Sequence, residues 1–370
     1  MRILLPKARR PDHGLAEVAL ATVLPAEGLV PVTTGPSEVA CVLDPEAPAV
    51  PPPRVALVDA LVPGERWREA GERFAVVDER AQAALVSLGV PEARVVVTGW
   101  PLAPAWKEAA VADREELRQR FGLAATPGPV VLVDTRELGE QLGPVILQLS
   151  LSPTIEPLFD APDDATTALL RARCPAAGIR ARRFGETSEA PLLWRAADLV
   201  VGRPRPQLVA QARAVGLAIV ALRAPSTPST PSVLSDAGLA DEMAEAEGVA
   251  VRGLGSATTV AALAAALELL SGERLASARA IATATARPDA ARSVAALIGQ
   301  VARHREAILN EPRPVYPKTP PGPLEEVGLA PEEYRQREGE RLAARIAQVA
   351  GEQELEERLA ALKARLKKEP

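Results

Sequence analysis

Short, Val-rich apolar runs alternate with helical patterns along most of this chain, and that alternation restricts the fold more than any other feature. "MRILLP" (1–6), "LVPVTT" (29–34), "VACVLD" (39–44), "RVALVDA" (54–60), "RFAVVDE" (73–79) and "ARVVVTGWP" (93–101) are too short for helices and nearly continuous in apolar character. Runs of that kind are strands buried on both faces, as in parallel sheets. Between them, "HGLAEVALATVL" (13–24) carries Leu15, Val18, Ala19 and Val23 at helical spacing, and "ERAQAALVSLGVP" (79–91) ends in Gly89 and Pro91, a helix stop signal. A second series opens with "VVLVD" (130–134). It predicts helices at 143–150, 165–173, 189–196 and 206–215 and strands at 179–183, 199–201 and 218–222. "GVAVRG" (248–253) reads as a last strand, followed by helices over 257–270, 272–285 and 288–309. The expected class is α/β, two doubly wound Rossmann-like domains with helices on both faces of each sheet.

A length of 370 residues allows two such domains and an appendage. Hydrophobic residues make up 47% of the chain but aromatics only 3%, so the cores must be built from Ala, Val and Leu. The net charge of −5 argues against a nucleic-acid binder, which shows a basic surplus. Cys41 and Cys174 form no CxxC pair, and His13 and His304 stand far apart. The sequence therefore predicts no disulfide framework, no metal site and no cofactor, in a reducing cytoplasm. The apolar part of "MRILLPKARRP" is too short for a signal peptide, and no stretch reaches the ~18 apolar residues of a membrane span. Peripheral contact with a membrane surface is compatible with this.

Residues 311–331 contain seven prolines, a stiff extended linker. Beyond it, helical periodicity returns with two apolar stripes. Leu342, Ile346 and Val349 form one, and Leu355, Leu359, Leu362 and Leu366 the other. Such stripes need a cover, which can be the chain's own body, a protein partner, a second copy or a membrane surface. The expected organisation is an N-terminal domain over 1–104, a C-terminal domain over 105–310, a linker over 311–330 and an amphipathic tail over 331–370.

Three segments carry a resemblance to a known family. "VDALVPGERWREAGERFAVVDERAQAALVSLGVPEARVVVTGWPLAPAW" (58–106) resembles the monogalactosyldiacylglycerol synthase and diacylglycerol glucosyltransferase group, relatives of MurG with the GT-B fold. "LLWRAADLVVGRPR" (192–205) and "RPDAARSVAALI" (287–298) resemble segments shared by the wider superfamily. The resemblance covers most of 55–300. It implies two facing Rossmann-like domains that move a hexose from a nucleotide sugar to a lipid or lipid-linked acceptor, without a tightly bound metal.

The family's site motifs are altered here. Where the family has a "GGGH" turn, this chain has "PKARRPDHG", with His13 and Gly14 in place of a glycine cluster. The Gly-rich turn at the first strand of the second domain becomes "VLVDTRELGEQLG". Asp134, Glu137 and Glu140 there would repel a donor diphosphate, and Arg136 can offset one of them. In the family's "GG.T..E" stretch, Gly202 is followed by Arg203, Pro204, Arg205 and Pro206, and Gln211 stands where a glutamate holds ribose hydroxyls. Gln211 can still hydrogen-bond a hydroxyl, without the charge that strengthens the bond.

These comparisons give the candidate residues. His13 is a candidate general base or a surface histidine. Asp59, at a strand end, is a catalytic candidate or a turn cap. Arg136, Gly202, Arg203, Arg205 and Gln211 are the candidate nucleotide-sugar contacts, with both later arginines placed at the cleft mouth. The four tryptophans read as core. Two functions fit: a non-catalytic scaffold that binds a protein partner or itself through the tail, and a divergent but active hexosyltransferase.

Overall fold

A computed structural model describes residues 2–5, 11–32, 39–42, 53–60, 63–123, 128–222, 260, 263–270 and 272–312. The predicted strand at 248–253, residues 313–330 of the predicted linker and the whole tail lie outside the described residues, and with them Leu342, Ile346, Val349, Leu355, Leu359, Leu362 and Leu366.

The first domain is built on strands β1 (Arg2–Leu4), β2 (Val30–Val32), β3 (Val39–Val42), β4 (Arg54–Leu57), β5 (Arg73–Val76) and β6 (Val95–Val97). They run parallel in the order β2-β1-β3-β4-β5-β6. Helices α1 (Pro11–Val23) and α2 (Glu79–Ser87) cover it. Asp78 caps α2, its carboxylate accepting from the Arg80 and Ala81 N–H groups.

α3 (Pro104–Ala110) and α4 (Arg114–Arg120) then lead into the second sheet, and both pack on a helix of that domain, α7 (Ala190–Ala196). Arginines make the seam. Arg114 donates to the carbonyls of Arg195, Val215 and Gly216, and Arg118 to that of Ala196. These are the orphan carbonyls that helix ends leave.

The second sheet comprises β7 (Val130–Asp134), β8 (Glu156–Asp160), β9 (Arg182–Phe184), β10 (Leu199–Gly202) and β11 (Ala218–Ala221), all parallel, in the order β11-β10-β7-β8-β9. Around it lie α5 (Leu142–Ser150), α6 (Asp164–Ala176), α8 (Pro206–Ala214), α9 (Leu263–Leu269) and α10 (Gly272–Ala284). The two doubly wound parallel sheets are those the sequence predicts, with one addition. β8 is a fully buried interior strand, although "EPLFD" carries a proline and two acids. Glu156 accepts from Arg182 Nε at 2.6 Å, and Asp160 has partners described below, so both charges are compensated.

The predicted helix 288–309 is two helices, α11 (Ala290–Arg303) and α12 (Arg305–Leu309), broken at His304. α11 follows the second domain in sequence yet packs on α1, β3, β4 and β5 of the first sheet. Val294, Ile298 and Val301 are fully buried there, and each contributes about 1.5–3 kcal/mol. The return is pinned at its end. Arg73, at the start of β5, grips Glu311 with both terminal nitrogens at 2.9 and 2.5 Å, and Arg94 stands 3.8 Å away. Gly99 (φ 84°) is where the first sheet's last turn meets this crossing. A Cβ there would lie 2.9 Å from Arg287 Cβ.

Candidate functional site

In an open parallel sheet, ligands bind outside the carboxyl ends of the strands, where the strand order reverses. In the second sheet that reversal falls between β7 and β10. In register, Val201 of β10 pairs with Val133 of β7, so Gly202 comes next to Asp134 at the mouth of the crevice. A Cβ on Gly202 would stand 2.7 Å from Leu208 Cδ1 and 3.1 Å from Asp134 Cβ. The glycine is therefore fixed by close packing against β7.

The crevice holds charge of its own. Asp134 is fully buried, and Arg205 is 6% exposed with Nη2 2.5 Å from Asp134 Oδ2. On the other side, Arg136 donates its backbone N–H to Asp134 Oδ1 at 3.2 Å and brings Nη1 within 3.5 Å of the same oxygen. Nη1 and Nη2 of Arg136 also reach Asp160 Oδ2 and Oδ1 at 2.9 and 3.4 Å. Trp194 of α7 adds an indole N–H to Asp160 Oδ2 at 3.3 Å. Thr135 Oγ1 donates to the Asp160 carbonyl at 2.6 Å, tying β7 to β8. Two aspartates and two arginines thus form one compact cluster across two strand ends and the cap of α8.

This corrects the expectation for Arg205. It is turned inward from the cleft mouth because a fully buried carboxylate requires a countercharge, and Arg205 supplies it. Arg203 is half-buried and donates to Gln141 Oε1 at 3.0 Å. Arg136 offsets two acids, Asp134 and Asp160. Glu137 is exposed, with a left-handed backbone (φ 64°), a conformation unfavourable for a residue with a side chain. Gln211 lies on α8, 3% exposed, and Gln207 one turn earlier is 1% exposed. Oε1 of Gln211 and both amide atoms of Gln207 have no hydrogen-bond partner among the described residues.

In the first domain, Asp59 follows β4 at the carboxyl end of the sheet, half-buried. His13 belongs to the first turns of α1, and its side chain lies outside the described residues. The tryptophans are core residues, as read from the sequence: Trp67, Trp100, Trp106 and Trp194 are all buried. Trp106 and Trp194 meet edge to face with centroids 5.4 Å apart. Among the described residues no group of His, Cys, Asp and Glu could hold a metal, and no helix is long and apolar enough to cross a membrane.

Two residues of the cluster escape a sequence reading in their site role. Asp160 ends an unrecognised strand, and Trp194 reads only as core. Burial pushes the Asp160 carboxyl up to about 6; Arg136 opposes that push and Asp134 adds to it. The folded chain holds this proton up to about pH 6, whereas an exposed aspartate releases it near ~4. Folding therefore takes up a proton between those values. The contribution of this group to stability is greatest at acid pH and falls by about 3 kcal/mol as pH rises through the window. Asp160→Asn is expected to remove that slope. Thermal melts of both proteins across the window check it, and parallel pH profiles would show that Asp160 titrates as an ordinary aspartate.

The two parallel-sheet domains define the GT-B fold, the architecture of one large class of glycosyltransferases. Solved structures share it. A glycosyltransferase from Rickettsia africae ESF-5 aligns with a TM-score of 0.53 at 10% identity, covering 84% of this chain and 98% of that one. WaaG, a glycosyltransferase involved in lipopolysaccharide biosynthesis, aligns at 0.52 and 12% identity, covering 80% and 99%. Anabaena Alr3699/HepE, solved in complex with UDP and glucose, aligns at 0.51 and 15% identity, covering 83% and 99%. At such identities the likeness is one of fold. No family model and no curated protein sequence matches the chain.

Proposed function

We propose that this protein is a non-catalytic interaction protein on a GT-B frame, derived from the lipid-directed glycosyltransferase group that 58–106 resembles. The observation that carries the reading is the Asp134–Arg205 pair in the switch-point crevice. A glycosyltransferase of this fold needs backbone N–H groups and open space there for the donor diphosphate. Here Pro206 removes an N–H from the first turn of α8, and Arg205 lies in the crevice beside a buried carboxylate. The tail, with its two apolar stripes, is the proposed contact for a partner or a second copy.

One observation favours the alternative, an active hexosyltransferase using a nucleotide sugar. Gln207 and Gln211 keep buried amide atoms without partners among the described residues, and each such atom costs about 1–3 kcal/mol unless something bonds it. A ribose or sugar hydroxyl has the right chemistry for that.

Calorimetry with UDP, UDP-glucose and UDP-galactose separates the two. No measurable heat is expected, and dissociation constants in the micromolar range would sink the non-catalytic reading. Light scattering on the chain with and without 331–370, and with Leu359 and Leu362 replaced by Glu, tests the tail. The full chain is expected to show a mass, or a captured partner, that both altered forms lose. Equal masses together with equal partner capture would reduce the tail to a packed appendage.

A further inference from the structure

Arg136 and Arg205 approach the two oxygens of one carboxylate from different sides. Arg136 Nη1 lies 3.5 Å from Asp134 Oδ1, and Arg205 Nη2 lies 2.5 Å from Oδ2. Asp160 takes the remaining reach of Arg136 at 2.9 Å. The four groups are neutral together only while both acids are ionised. A guanidinium does not lose its proton in a protein, so neutralising either acid leaves a buried excess of one positive charge. Converging guanidinium donors in a low-dielectric crevice are the arrangement that recognises oxyanions.

We propose that Asp134 and Asp160 are built-in occupants of an oxyanion site formed by Arg136 and Arg205, and that the site takes a small inorganic oxyanion once either carboxyl is neutral. The device is an internal latch. The chain's own carboxylates hold the place of a ligand's charge and keep the crevice closed to anions at neutral pH. The proposal rests on the non-catalytic reading above and says how the crevice is closed: acids of the same chain satisfy its cationic donors.

Asp134 comes from the end of β7, Arg136 from the loop after it, and Asp160 from the end of β8. Trp194 enters from α7, and Arg205 from the cap of α8. Glu137 is exposed, and Arg203 donates to Gln141. Asp160, pushed up to about 6 by its burial, makes the neutral state reachable in the unaltered protein under mildly acidic conditions.

Sulfate is the probe, because it remains a dianion across the pH range concerned. The full chain, Asp134→Asn, Asp160→Asn and the double variant Asp160→Asn with Arg136→Gln are titrated calorimetrically at neutral pH. The full chain alone is also titrated at about pH 5, below the Asp160 transition. Each single variant is expected to bind sulfate about tenfold tighter than the parent, one charge being worth roughly that factor. The added Arg136→Gln should cancel the gain, which a merely structural role for Arg136 would not. The parent itself should gain at acid pH. Folded single variants that bind no tighter overturn the proposal. If neither single variant folds, absence of a gain by the parent at acid pH overturns it alone. UDP binding by the parent at neutral pH would instead sink the non-catalytic reading, so the two failures are distinguishable.

Discussion

Val200→Asp is expected to unfold the second domain. Val200 is the middle of β10, paired with Leu132 of β7 on one side and Ile219 of β11 on the other. It is fully buried, as are both of those partners or nearly so. A carboxylate placed there has no cation among its strand neighbours, and a protonated carboxyl still lacks hydrogen-bond partners, since the backbone groups around it are engaged in the sheet. Such a change costs about 4 kcal/mol or more, against a total stability of about 5–15 kcal/mol for an ordinary domain. Urea denaturation followed by the emission of Trp106 and Trp194, both in this domain's packing, provides the measurement. A soluble variant with the parent's midpoint would mean that β10 is not an interior strand.

Asp198→Ala is expected to cost about 3–5 kcal/mol. Asp198 is 6% exposed and sits just before β10. Its Oδ2 accepts from the Val130 N–H at 2.9 Å and pairs with Arg118, and its Oδ1 lies 3.4 Å from Arg279 of α10. One carboxylate therefore joins the starts of two neighbouring strands to α4 and α10. Alanine leaves the largely buried Arg118 with only the exposed Glu115, 3.0 Å away, as countercharge and Val130 N–H without an acceptor. Asparagine keeps an oxygen for the N–H and loses only the charge, so stability should fall in the order Asp, Asn, Ala. Chemical denaturation ranks the three proteins. An alanine variant within about 0.5 kcal/mol of the parent would show that the ionic tie contributes nothing.

What could be read from the sequence follows a physical division. β7 and β10, "VVLVD" and "LVVG", are legible because an interior parallel strand is apolar on both faces and announces itself locally. β8 is equally interior and was not legible. Glu156 and Asp160 are tolerated there because Arg182 and Arg136 compensate them, and those partners come from residues 24 or more positions away in sequence. The same limit governs the site. The acid-bearing turn at Asp134 and the arginines after Gly202 stand out as departures from a glycine-rich pattern. That they neutralise each other depends on β7 and β10 being neighbours, a fact of sheet order that local pattern does not contain. The break at His304 leaves no local signal for a different reason: no proline or glycine marks it, and α12 continues immediately.

The return of α11 onto the first sheet makes that domain discontinuous along the chain. A cut between the domains would not release two self-sufficient halves. The N-terminal piece would carry an open apolar seat where Val294, Ile298 and Val301 belong, while the other piece would carry the matching helix on the end of a foreign body. The natural way to divide this molecule is by complementation, with a peptide spanning 286–312 supplied to the N-terminal piece in trans. In such a pairing Arg73 and Glu311 would act as the registration mark that seats the peptide correctly.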